Sequence, residues 1–257
     1  MKIGFFVEGS TYEGNWLERT WAEVLLPLAG LDHEYQVVGI SKAAIVALTP
    51  GIRSLSSTSE PFDALFERML RKYSFDAAIV CWDLVPKWNK DASPCRWQET
   101  LDFYRLLSES SIIPESFRRR VAEKFVELSS RPYPAQRAAL PKIQPGDIVA
   151  AVMEPMFESI IADESVVRSA LGLHGERPKG WPRRWSGPSM NNPDDVIGAA
   201  IAAAHSIRPK PREVRRIGKG FSVAKNEWGY YLLQFAVENN EAALRAAPIV
   251  ARLSEMR

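Results

Sequence analysis

The residues best suited to chemistry in this chain are acids that follow short apolar runs. Glu8 follows Ile3-Gly-Phe-Phe-Val, Asp83 follows the run 77–82, Glu154 follows the run 147–153, and Glu158 comes four residues later. Carboxylates brought together repel one another unless a cation sits between them. A donor set of oxygens, without His or Cys, suits Mg²⁺ or Mn²⁺. Such an ion polarises a phosphoryl oxygen and orients a water, so the chemistry implied is phosphodiester hydrolysis. Lys87 and Lys90 follow Asp83 closely, and a lysine beside such acids can neutralise charge developing on phosphorus. The competing reading is that each acid caps the next helix and each lysine is a solvated surface group.

For the acids to meet, the elements that carry them must end on one rim. Residues 2–7 read as a buried strand that stops at Glu8-Gly9-Ser10. A helix is expected over residues 15–28, with Leu17, Trp21, Val24, Leu25 and Leu28 as its apolar face. A second strand is expected over 35–40 and a helix over 61–73. A strand is expected over 75–84, and its core, 77–82, is apolar on both faces, as a central parallel strand would be. Helices follow over 96–107 and 114–129, then a connector with four prolines over 131–145. A further strand is expected over 147–153 and a helix over 156–171. Alternating strands and helices predict an α/β fold: a mostly parallel sheet flanked by helices, its strand-end acids aligned along the carboxyl rim. Beyond it lie a segment rich in Gly, Pro, Arg and Trp and helices over 194–206, 228–238 and 240–256. The expected organisation is an α/β core over 1–172, with a basic, Trp-containing loop and helical extension over 173–257 packed on it.

At 257 residues, 46% hydrophobic and 25% charged, the composition is that of an ordinary globular protein. A net charge of +2 excludes a uniformly basic nucleic-acid coat. Two cysteines, with no Cys-x-x-Cys pair, and three scattered histidines predict neither a disulfide framework nor a zinc site, and point to a reducing cytoplasm. No leader-like start is recognised, and no run reaches the roughly 18–20 apolar residues that a membrane span needs. Phosphate-loop and nucleophile-elbow motifs are absent, so the chain is not expected to hydrolyse ATP itself.

Local basic clusters are present. Lys179, Trp181, Arg183, Arg184 and Trp185 combine cations for phosphates with indoles that could stack on bases. Arg212, Arg215 and Arg216 form part of a second cluster. Together they suggest DNA or RNA as a partner; the tryptophan pair would equally suit a protein interface.

The opening Ile3-Gly-Phe-Phe-Val-Glu8-Gly9-Ser-Thr11 resembles the first motif of the TOPRIM fold found in topoisomerases, primases and OLD-type nucleases. Ala78-Ile-Val-Cys-Trp-Asp83 resembles its second motif. Phe157-Glu-Ser-Ile-Ile-Ala-Asp163 and the stretch from Lys225 to Leu253 are similar to segments of an uncharacterised bacterial TOPRIM-like family, often predicted beside ATPases in phage-defence loci. The resemblance implies a Mg²⁺- or Mn²⁺-dependent nuclease working with an ATPase partner, with Glu8 as metal ligand or general base. Asp83, and either Glu154 or Glu158, would be further ligands, with Lys87 or Lys225 steadying the transition state. The second motif departs from the family's Asp-x-Asp, because Val85 stands where the second acid belongs. That departure leaves open a non-catalytic interaction subunit with the same fold.

Overall fold

The computed structural model describes residues 1–9, 15–41, 44, 60–83, 96–130, 142–151, 156–175, 177–185 and 192–256. Among them are four strands: β1 (Lys2–Glu8), β2 (Glu34–Ile40), β3 (Ala77–Cys81) and β4 (Ile148–Ala150). All pair in parallel, in the order β2-β1-β3-β4. Val7 lies level with Cys81. The carboxyl ends of the two central strands therefore share one rim, with Glu8 and Asp83 on it.

Side chains alternate across the sheet, as strand geometry requires. Ile3, Phe5, Val7, Ile79, Cys81 and Val149 enter one apolar cluster. Phe6, Val38, Ala78, Val80, Trp82 and Ile148 enter another. The second face is covered by α2 (Phe62–Tyr73), α3 (Arg96–Glu109) and α4 (Glu115–Ser129). Its centre is Phe6, whose ring lies 5.5, 5.0 and 6.0 Å from those of Phe62, Phe66 and Phe75. Gly4 makes room for these rings: a Cβ there would meet Phe75 Cδ2 at 2.7 Å and Phe6 Cε2 at 2.9 Å.

The first face carries α1 and the helices of the C-terminal half. α1 is a continuous rod: an α-turn Trp16–Arg19, a π-helical segment Thr20–Leu25 and a final turn Leu26–Ala29. Residues 193–256 supply α6 (Pro193–His205), α7 (Arg212–Ile217), α8 (Lys225–Arg245) and α9 (Pro248–Ser254), which follow a short α5 (Glu164–Ala170). Ile197, Ile201, Trp228, Leu232, Leu233 and Leu253 share one core with β1 and β3. The extension is thus the second covering layer of the sheet.

The expected strands and helices are present, with shifted ends. The single helix expected over 156–171 is instead a 3₁₀ turn, Phe157–Ile160, followed by α5. Asp163 is the cap between them: its carboxylate accepts from the Val166 N–H at 3.0 Å. The boundary expected near residue 239 appears as a non-helical Asn240 (φ −154°, ψ 51°) inside α8. No helix among the described residues is long and apolar enough to cross a membrane.

Candidate functional site

From β1 the chain runs to β2 on one side, and the next strand, β3, lies on the other side of β1. A reversal of this kind leaves a crevice beyond the carboxyl ends of the two central strands, where ligands of open α/β sheets bind. Here the crevice is a cleft of about 320 Å³ lined by Glu8, Asp83, Glu158, Asp194 and Lys225, among others.

Each acid is anchored in place. Glu8 Oε2 accepts the backbone N–H of Asp83 at 3.1 Å. Asp83 Oδ1 accepts the N–H of Phe157 at 2.9 Å, which ties the end of β3 to the 3₁₀ turn. Glu158, on that turn, is only 4% exposed. Its Oε1 lies 2.6 Å from Lys225 Nζ, whereas its Oε2 is buried with no hydrogen-bond partner among the described residues. Asp194, in the first turn of α6, is 7% exposed and lies 3.2 Å from the same ammonium.

The electrostatics follow from this crowding. Burial, together with the neighbouring Glu158 and Glu8, pushes the Asp83 carboxyl up to about 8; the Phe157 N–H and Lys225 oppose the shift. For Lys225, burial alone would lower the ammonium's pKa, but Glu158 and Asp194 more than offset it, and the net shift is upward. One lysine thus faces four acidic side chains in the described lining; even with Asp83 protonated, the remaining three carboxylates outnumber it.

Two features of α1 shape the wall. Gly9 lets Leu17 close over the rim: a Cβ at that position would lie 2.6 Å from Leu17 Cδ2. The reason for glycine here is close approach, since Gly9 is not among the residues with positive φ. The buried Thr20 starts the π-helical segment and donates its hydroxyl to the Trp16 carbonyl at 2.7 Å. Next to Thr20, the Arg19 guanidinium lies 4.8 Å from the Trp16 ring and 4.6 Å from that of Tyr230. This stack ties α1 to α8, and both helices line the cleft.

Of the residues singled out in the sequence, Glu8, Asp83, Glu158 and Lys225 meet at this cleft. Glu154, Lys87, Lys90 and Val85 lie outside the described residues. Asp194 was not singled out; an acid in a helix's first turn looks like an ordinary dipole partner, and only its burial marks it. Trp181 and Trp185 are corrected: at 7% and 8% exposure they pack against each other with ring centres 5.5 Å apart, so they offer no open ring face to a base. The Trp181 indole is also spent on Glu164, at 3.0 Å. Lys179, Arg183, Arg184, Arg212, Arg215 and Arg216 are exposed and are not part of the cleft lining. The basic α7 does lead directly to the rim, where Phe221 and Ser222 line the cleft.

The donors fit a hard divalent cation: all are carboxylate oxygens, and one of them is a buried oxygen without a partner. Among the described residues, however, no three acid, His or Cys side chains form a ready-made cage. No family model, curated protein or solved structure matches the chain.

Proposed function

We propose that the protein is a Mg²⁺- or Mn²⁺-dependent phosphodiesterase of the TOPRIM-like kind, acting on DNA or RNA. The observation that carries this reading is Glu158, a buried acid with one unpartnered oxygen, placed beside Glu8 and Asp83 at the switch point of a parallel sheet. Glu8, Asp83 and Glu158 would hold the ion, which when bound would polarise a phosphoryl oxygen. As the alternative to ligation, Glu8, at the partly exposed end of β1, would take a proton from the attacking water. The exposed cations of α7, ahead of the rim, would engage the substrate backbone through its phosphates. A defence setting and an ATPase partner rest on the resemblance alone.

The test is nicking of supercoiled DNA and cleavage of tRNA with Mg²⁺ or Mn²⁺, compared with Glu8→Gln. Loss of a positioned acid or base should lower the rate by about 10²-fold or more. Cleavage by Glu8→Gln at the wild-type rate would refute the assignment.

One observation favours a second reading. Lys225 already pairs with both Glu158 and Asp194. If that lysine permanently replaces a cation, the chain is a non-catalytic interaction subunit that keeps the fold, and neither substrate is cut.

A further inference from the structure

Lys225 is oddly placed for a lysine. It is the first residue of α8, at the positive end of a helix dipole, where a cation is disfavoured. The preceding cap residue, Ala224, provides no side-chain hydrogen bond there. What the position offers is reach: the ammonium bridges Glu158 and Asp194, at 2.6 and 3.2 Å, while 45% of the side chain stays exposed. Both acids are buried, and the lysine supplies positive charge to each. The lysine can leave toward solvent, but the acids cannot follow it.

We propose that Lys225 is an exchangeable resident counter-ion, which occupies Glu158 and Asp194 in the cation-free protein and is displaced to the cleft mouth when a divalent cation takes Glu158. This rests on the metal-site reading above and adds a gate to it. In the cation-free state Glu158 Oε1 is spent on the lysine. The same contact keeps Glu158 paired and the 3₁₀ turn in place until the ion arrives. After exchange, the freed ammonium stands at the mouth beside Ser222 and Asn226, both lining residues, where an incoming phosphate would meet it.

The experiment is brief amine labelling of the wild-type protein with acetic anhydride, read at Lys225 by mass spectrometry, with and without Mn²⁺. Calorimetry on the same samples reports whether Mn²⁺ binds. If the exchange occurs, saturating Mn²⁺ raises Lys225 labelling about threefold or more, following the population of the released ammonium. NaCl at equal ionic strength leaves it unchanged. In Glu158→Gln, labelling is high from the start and insensitive to Mn²⁺. Lys225→Met, where it folds, binds Mn²⁺ about tenfold more tightly than wild type. Mn²⁺ binding with unchanged or reduced Lys225 labelling overturns the exchange but leaves the metal site standing. Absence of Mn²⁺ binding to wild type and Lys225→Met alike overturns both.

Discussion

Asp83 carries a proton that the unfolded chain would release at ordinary carboxylate pH. Its folded value of about 8 lies above the usual 3.8. Between those limits the native state holds more protons than the unfolded state, so stability falls as pH rises. The contribution is complete below about pH 4 and lost by passage through pH 8. In chelator, the wild-type melting temperature should therefore decline from pH 6 to pH 8.5, and Asp83→Asn should flatten that decline by a few degrees. Parallel melting curves for the two proteins across that range would contradict the assignment. At this scale much of the site was legible. Glu8 and Asp83 stand where apolar runs stop, and Glu158 is four residues beyond another. Asp194 was hidden because its partner, Lys225, is 31 residues away in sequence. The indoles of Trp181 and Trp185 misled, because a cation-rich stretch looks the same whether its aromatic rings face solvent or core.

The elements show why the acids converge. β1 and β3 were readable from composition alone, since strands buried on both faces have few alternatives. The ends were less so: β3 stops at Cys81, leaving Asp83 beyond it to line the cleft. The π-helical segment of α1 has no signature in its residues, because Leu17, Trp21, Val24 and Leu28 satisfy an ordinary helical period. The break after Phe157–Ile160 was likewise masked by a helical pattern and is set by the Asp163 cap. Gly4 tests how tightly β1 is held. Gly4→Ala would drive a methyl into the Phe6 and Phe75 rings, and overpacking of this kind costs about 1–3 kcal/mol. The urea midpoint should fall accordingly; an unchanged midpoint would show that the rings yield freely.

At the scale of the molecule, the division into a core and an extension is a matter of chain order, since the two share one apolar cluster. Ile143 N–H even bonds the carbonyl of Met256, near the far end of the chain. A protein ending at residue 172 would strip α6 to α9 from the first face of the sheet, leaving only α1 and α5 over it. It should be recovered aggregated or without a cooperative melting transition. A sharp transition from that fragment, by circular dichroism, would show that the sheet needs only one of its layers. The α/β class was legible because alternation of element types dictates a parallel sheet. Which face the C-terminal helices would cover was not, because their apolar residues carry no address.

The wall containing Lys225 and Asn226 is built from the start of α8, and that helix is tied through Tyr230 to a rod near the amino terminus. During synthesis, residues 1–224 therefore emerge without a finished cavity. Whatever reaction the cavity supports is withheld from a ribosome-bound nascent chain until α8 has docked.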